Sequence, residues 1–168
     1  MRVAFLTSGG VAPCLSASIA YLIKEYSIID NSIEFYGYKH GYKGLLLGNK
    51  ISIPNNLFNK VDIIASFGGS AIGNSRVKLS NIDDCIKNKY IKKNDLPVEV
   101  AANQLVSDGI NILHTIGGDD TNISASDLVK YLKANNYDLT VVGLPKTIDN
   151  DIFPIHQTLG AYTASEQG

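Results

Sequence analysis

The sequence has few cysteines, little net charge and no long apolar run. Its 168 residues include two cysteines, Cys14 and Cys85, too few for a disulfide framework or a cysteine-rich zinc site. The formal net charge is −1, which does not favour nucleic acid or a membrane surface as a partner. The longest apolar stretches are strand-sized, well short of the roughly 18 residues that a membrane-spanning helix needs. Composition therefore predicts no nucleic-acid or membrane partner and a location in the reducing cytoplasm.

Several familiar signatures are also missing. The chain has neither the Gly-x-x-x-x-Gly-Lys-Ser/Thr loop of many nucleotide-binding proteins nor the Gly-x-Gly-x-x-Gly dinucleotide motif. Met1-Arg2 runs directly into an apolar segment, which is not the layout of a signal peptide. There is no internal repeat, low-complexity segment or interdomain linker. The length predicts a single domain, residues 1–168, that can bury one sizeable core.

Apolar periodicity predicts alternating strands and helices. The predicted strands are residues 2–7, 33–38, 61–67, 110–116 and 139–144. The predicted helices are residues 15–26, 97–108 and 121–135, with a further helix starting near residue 158. Residues 40–54 are expected to turn and pair locally. Residues 139–144 are a continuous apolar run, which is expected of a strand in a sheet whose two faces are both covered. The alternation indicates an α/β fold, a mostly parallel sheet with helices on both faces.

Two glycine-rich segments are candidate phosphate loops at the carboxyl ends of strands, where ligands collect in such sheets. Ser8-Gly9-Gly10 precedes the first helix, and small residues there let backbone N–H groups approach an anion. Alone, a Gly-Gly pair after a strand is more often a tight turn. Residues 69–76 end in Arg76, which could hold a phosphate in bidentate fashion, although a lone arginine is usually a solvated surface residue.

Gly117-Gly118-Asp119-Asp120-Thr121 follows the fourth predicted strand. An N-cap role would explain either Asp119 or Asp120, because an aspartate before a helix accepts a bond from a free N–H. An N-cap role does not require two adjacent aspartates, nor the two glycines that precede them. A carboxylate at a strand end beside a phosphate site is a natural Mg²⁺ ligand, often through water. The motif therefore indicates Mg²⁺-dependent phosphoryl transfer.

Residues 146–151 place a cation, a hydroxyl and two carboxylates after the last predicted strand. Asp149 could accept the proton of an attacking sugar hydroxyl, and Lys146 could neutralise charge on a transferring phosphate. Asn-Asp pairs are ordinary turn chemistry, but a turn does not need Lys-Thr in front of it. In contrast, His114 lies inside an apolar strand, and we expect a buried core residue rather than a catalyst.

These motifs together resemble those of the 6-phosphofructokinase family. The matching segments, in family order, are residues 6–10 with Ala12-Pro13, residues 69–76, residues 117–121 and residues 145–151. The resemblance spans nearly the whole chain and implies the Rossmann-like N-terminal domain of a phosphofructokinase. Family chains are much longer, so the resemblance also implies that the second, sugar-phosphate domain is absent from these 168 residues.

Two positions resemble one subgroup of that family. ATP-using members carry glycine where this chain has Asp120 and Lys146, and the Asp-Lys pair is similar to that of the pyrophosphate-dependent enzymes, the diphosphate–fructose-6-phosphate 1-phosphotransferases. A glycine lets the α-phosphate of a nucleotide lie against the backbone, whereas Asp120 adds bulk and negative charge. A like-charge contact near 4 Å costs about 1–4 kcal/mol at a surface-like dielectric. Asp120 is therefore expected to disfavour ATP.

The resemblance implies roles on the donor side of the reaction. Gly10 would donate its backbone N–H to the diphosphate, and Arg76 would contact the donor or the product phosphate. Asp119 would hold Mg²⁺, Asp120 would set the choice of donor and Lys146 would bind the transferring phosphate.

On the sugar side, the resemblance implies that Thr147 and Asp149 meet fructose 6-phosphate, with Asp149 as the base for its 1-hydroxyl, while Asp151 orients the site. It also implies a reversible reaction and a homodimer or larger assembly. Three alternatives stay open: an ATP-dependent 6-phosphofructokinase, a related NAD or lipid kinase with a Gly-Gly-Asp-Gly motif, and a non-catalytic phosphate-binding fragment. The complete Thr-Ile-Asp-Asn-Asp motif argues against the NAD and lipid kinases.

Overall fold

One five-stranded sheet organises the protein. The computed structural model describes residues 1–54, 57 and 60–167. The strands are β1 (Arg2–Thr7), β2 (Glu34–Tyr38), β3 (Lys50–Ile53), β4 (Ile112–Gly117) and β5 (Thr140–Pro145). The helices are α1 (Cys14–Ile29), α2 (Tyr42–Leu46), α3 (Val61–Ala65), α4 (Ile82–Lys87), α5 (Pro97–Ser107), α6 (Asp119–Ala134) and α7 (Ala161–Gln167).

The strand order is β3-β2-β1-β4-β5, with β1 at the centre. β1 pairs in parallel with β2 and β4, and β4 pairs in parallel with β5. β3 runs antiparallel to β2, which is the local pairing expected of residues 40–54. The chain leaves β1 toward one edge of the sheet and returns at β4 on the other side. The carboxyl ends of β1 and β4 therefore lie side by side at a topological switch point.

Each face of the sheet carries its own apolar core. Along β1, Ala4 and Leu6 pack into a cluster with buried residues of α2, α5 and α6, whereas Val3 and Phe5 pack into a cluster with buried residues of α1. This alternation follows from the two-residue period of a strand. Helices thus cover both faces of a mostly parallel sheet, which confirms the predicted fold class.

The prediction of a strand at residues 61–67 was wrong. Residues 61–65 form α3, which packs beside α1. Ile63 and Phe67 are 70% and 55% exposed, so the apolar side chains of this run do not enter a sheet. An apolar run of this length does not distinguish strand from helix, and Asp62 in the first turn is a charge that suits a helix N-terminus.

The expectation that residues 139–144 are covered on both faces holds only in part. Val141 packs against one core cluster and Leu144 against the other, but β5 (Thr140–Pro145) is an edge strand of the sheet and Val142 is 38% exposed. The position of a strand within the sheet depends on tertiary pairing, which an apolar run does not encode.

His114 is a core residue, as predicted. It is 4% exposed, its ring stacks on Phe5 with centroids 5.6 Å apart, and its Nε2 lies 2.9 Å from the hydroxyl of Tyr26. Burial lowers the pKa of His114 to about 4.

Among the helices described here, none is both long and apolar enough to cross a membrane.

Candidate active site at the carboxyl edge of the sheet

The loops that follow β1, β4 and β5 meet around a cavity of about 610 Å³. That volume is typical of a small-molecule site. The cavity lies at the carboxyl ends of the strands, where parallel sheets of this kind bind ligands. All of the predicted site residues line it: Gly10, Arg76, Asp119, Asp120, Lys146, Thr147, Asp149 and Asp151.

Close backbone packing brings the ends of β1 and β4 together. The N–H of Ser8 donates to the carbonyl oxygen of Ile116 at 3.0 Å, one residue beyond β1. A Cβ at Gly117 would overlap the Ser8 carbonyl oxygen and the Thr121 hydroxyl, so only glycine fits there. Gly9 has a φ of 88°, which glycine adopts without strain. Gly9 and Gly117 are therefore required by the backbone structure, in addition to the role in phosphate binding that the sequence predicts.

Arg76 reaches the cavity by a route that the sequence did not indicate. Its segment follows α3 rather than a strand. It reaches the same edge because Ser75 forms a parallel bridge with Ser8. The Ser75 carbonyl oxygen accepts bonds from the Gly9 N–H at 2.9 Å and the Ser8 hydroxyl at 3.0 Å. Residues 76–78 then form one wall of the cavity.

The two aspartates lie in the first turn of α6. The helix begins at Asp119, its N-cap is Gly118, and no side chain makes a capping bond there. The N-cap interpretation of Asp119 or Asp120 is therefore wrong. Both side chains are exposed to the cavity side, and Oδ2 of Asp120 lies 2.6 Å from Nζ of Lys78. Sequence reasoning missed Lys78, and its position two residues after Arg76 was the one available signal.

Lys146 is a buried cation that links two of the loops. Its side chain is 7% exposed, and its Nζ donates to the carbonyl oxygen of Gly10 at 2.7 Å. Its backbone N–H donates to the carbonyl oxygen of Gly117 at 2.8 Å. Burying an ammonium costs free energy unless its N–H donors find acceptors, and the carbonyl oxygen of Gly10 accepts from one of the three N–H groups. Lys146 is thus positioned to neutralise an anion in the cavity.

Residues 147–151 form a tight loop after β5. The Asp149 N–H donates to the Thr147 hydroxyl oxygen at 3.1 Å, and that hydroxyl lies 3.5 Å from Oδ1 of Asp151. Both carboxylates are exposed to solvent at the cavity wall. Two acceptors of protons or metal ions thus line the same cavity as the Lys146 ammonium and the first turn of α6.

Comparison with known proteins assigns the chain to a family. The family model described as "PFK: Phosphofructokinase" matches residues 2–167. The chain belongs to the phosphofructokinase family. It is 58% identical over 167 residues to the pyrophosphate–fructose 6-phosphate 1-phosphotransferase of Methylomonas methanica, covering 99% of this chain and 41% of that protein. It is 30% identical to the ATP-dependent 6-phosphofructokinase of Borreliella burgdorferi, covering 99% of this chain and 34% of that protein.

Solved structures of phosphofructokinases have the same fold as this chain. Pichia pastoris phosphofructokinase in the T-state matches with a TM-score of 0.78 and 26% identity, over 99% of this chain and 17% of that one. The pyrophosphate-dependent phosphofructokinase from Marinobacter aquaeolei matches with a TM-score of 0.79 at 21% identity, over 98% of this chain and 39% of that one, and shows the shared fold. The chain spans about two fifths of the length of the curated relatives it matches.

The cavity of this phosphofructokinase chain offers carboxylates for the predicted Mg²⁺ site. Within residues 1–54, 57 and 60–167, no cluster of three or more histidine, cysteine, aspartate or glutamate side chains could hold a metal ion. That argues against a cage built from protein ligands alone. Mg²⁺ in phosphoryl-transfer sites is usually held by one or two carboxylates together with substrate phosphates and water. Asp119, Asp149 and Asp151 all line the cavity, and one or two of these carboxylates fit that donor set.

Proposed function

We propose that this protein transfers a phosphoryl group reversibly from diphosphate to the 1-hydroxyl of fructose 6-phosphate, giving fructose 1,6-bisphosphate and phosphate. The observation that carries the proposal is that Asp120 and Lys146 line the same cavity. Relatives that are 52–58% identical to the chain are named pyrophosphate–fructose 6-phosphate 1-phosphotransferase. Relatives named ATP-dependent 6-phosphofructokinase are 30–34% identical.

The choice of donor depends on the space at the start of α6. Asp120 occupies the second position of that helix, where a residue without a side chain would let a nucleotide phosphate approach the backbone N–H groups. Its ion pair with Lys78 offsets part of its charge, but such exposed pairs are weak. The bulk and remaining charge of Asp120 therefore oppose a nucleotide. Diphosphate, which is smaller, needs only the inner part of the cavity near Lys146.

The donor side of the site uses residues from three loops. Gly10 offers a backbone N–H near the amino end of α1, which favours negative charge. Lys146 neutralises charge on the transferring phosphoryl group, and Arg76 holds the donor or the product phosphate. Asp119 holds Mg²⁺, which when bound neutralises charge on the phosphates. The Gly10 N–H, Lys146, Arg76 and the bound Mg²⁺ would each stabilise negative charge, the main requirement for phosphoryl transfer.

On the sugar side, Asp149 acts as the general base. As the 1-hydroxyl oxygen of fructose 6-phosphate bonds to the transferring phosphorus, its proton moves to the Asp149 carboxylate, and the bond to the departing phosphate breaks. In the reverse direction Asp149 returns that proton. Thr147 helps to place the sugar, and Asp151 orients the loop through the Thr147 hydroxyl.

The test is the initial rate of fructose 1,6-bisphosphate formation by the full-length protein with Mg-diphosphate and with Mg-ATP. We expect turnover with diphosphate and little with ATP. Turnover with ATP alone would keep the family chemistry and overturn the donor assignment. Binding of diphosphate with no turnover in either direction would instead identify a non-catalytic phosphate-binding protein.

The assembly and the location of the protein are part of the same proposal. We propose a homodimer or larger homo-oligomer acting in the cytoplasm. Light scattering of the purified full-length protein measures its molar mass in solution. The mass of a monomer would contradict the proposed homo-oligomer.

A further inference from the structure

The loop that carries Asp149 and Asp151 contains one residue with a different orientation. Thr147, Ile148, Asp149 and Asp151 line the cavity, and Asn150 is not among its lining residues. Asn150 has a φ of 54°, in the left-handed region that asparagine tolerates better than most residues. Asn150 lies between the two carboxylates in sequence, and its side chain is free to make contacts outside the cavity.

The amide of Asn150 ties the loop to the segment that leads into α7. Its Oδ1 accepts a bond from the Thr158 N–H at 2.8 Å and lies 3.2 Å from the Thr158 hydroxyl oxygen. Its Nδ2 donates to the carbonyl oxygen of His156 at 3.1 Å. Thr158 is 3% exposed, so this partner is itself fixed within the fold. Both ends of the amide are thus used to hold the loop.

Thr158 also holds the first residue of the loop. Its hydroxyl donates to the carbonyl oxygen of Thr147 at 2.7 Å, which is shorter than its contact with Asn150. The N–H of Leu159 donates to the carbonyl oxygen of Pro145 at 2.9 Å, which extends the attachment to the end of β5. Asp149 lies between the two attached points, so a displacement of its backbone would break one of these bonds.

We propose that Asn150 is a positioning residue that, together with Thr158, holds the Asp149 carboxylate where it meets the sugar hydroxyl. The inference rests on the proposed function, since it names what orients the proposed base. Phosphoryl transfer depends on placement, and a misplacement of about 1 Å costs on the order of 100-fold in rate. Gly10, Arg76 and Asp119 lie on other segments, and Lys146, which precedes the loop, is held separately by the carbonyl oxygen of Gly10, so we expect the main effect on the chemical step.

The test compares kcat and KM in matched variants of the full-length protein. Asn150→Gly keeps the left-handed backbone and removes the amide, and we expect kcat to fall by about 10–100-fold with KM for diphosphate nearly unchanged. Asn136, which also has a positive φ, of 55°, but lies after α6, provides the control. Asn136→Gly should leave kcat unchanged. Thr158→Val should lower kcat. Thr158→Ser, which keeps the hydroxyl, should have a kcat close to that of the wild type.

Amide hydrogen exchange provides a second readout that does not depend on activity. We expect faster exchange at Asp149 and Thr158 in Asn150→Gly, with the amides of β4 unaffected. If the wild type is active and kcat is normal in Asn150→Gly, the positioning role is overturned. It is also overturned if kcat falls in Asn136→Gly by as much as in Asn150→Gly. A wild type that is inactive with every donor overturns the proposed function and this inference with it, and that outcome is recognised by the wild-type rate alone.

Discussion

At the scale of single residues, Lys146 and Gly10 show how the chain places charge. The Lys146 ammonium is held by a carbonyl oxygen from the loop after β1, although the lysine itself follows β5. A Cβ at Gly10 would lie 3.3 Å from Nζ of Lys146. The absence of a side chain at residue 10 thus leaves room for the Lys146 ammonium beside the Gly10 carbonyl oxygen.

Gly10→Ala should therefore weaken diphosphate binding. The added methyl group would displace the ammonium by a few tenths of an ångström and crowd the backbone N–H. We expect KM for diphosphate to rise several-fold with a smaller change in KM for fructose 6-phosphate. Gly68→Ala is the control, because a Cβ at Gly68 meets nothing within 4 Å. Equal KM values in Gly10→Ala and wild type would contradict the assigned role.

Asp149→Ser tests the general base. A missing base of this kind typically costs 10²–10⁴-fold in rate. We expect kcat to fall by about that amount with little change in KM for either substrate, because the remaining contacts still bind both. Steady-state kinetics in the forward and reverse directions would check this, and near-normal turnover in either direction would remove Asp149 as the base.

At the scale of elements, long periodic segments were predictable and short apolar runs were not. The helices α1 and α6 follow from sequence because each has 16 residues, enough to show the helical period, whereas β1 and β4 are six-residue strands in apolar runs that could equally have been read otherwise. Residues 61–67 were too short to separate α3 from a strand. The contact between Lys78 and Asp120 was not predictable, since it depends on how residues 69–78 fold over the end of β1.

The buried histidine of β4 makes stability depend on pH. Burial lowers the pKa of His114 from 6.5 to about 4, so the unfolded chain takes up a proton that the folded chain does not. The stabilising contribution is therefore complete above pH 6.5 and is lost as the pH falls toward 4. We expect the free energy of unfolding to drop by up to about 3 kcal/mol across this window from this residue.

Urea unfolding of the wild type and of His114→Phe between pH 7 and pH 4 measures this contribution. The variant keeps a buried ring and lacks the titrating group, so its curve should be flatter over the window. Parallel curves for the two proteins would show that other groups cause the acid sensitivity.

At the scale of the whole molecule, the order of the strands creates the site. The chain crosses from β2 and β3 on one side of β1 to β4 and β5 on the other, and this switch opens the cavity between their loops. The site could be anticipated because parallel strands bring their carboxyl ends to one edge, so motifs far apart in sequence were expected to meet there. The edge position of β5 and the route of residues 69–76 depend on tertiary packing.

The central claim is that Asp120 and Lys146 make this cavity a diphosphate site. The most direct measurement is the ratio of kcat/KM for diphosphate to kcat/KM for ATP, in the full-length wild type and in the double variant Asp120→Gly, Lys146→Gly. The account predicts that the wild type strongly favours diphosphate and that the double variant loses at least about 100-fold of that preference, a change of about 2.7 kcal/mol. An unchanged ratio, with ATP still excluded, would contradict it.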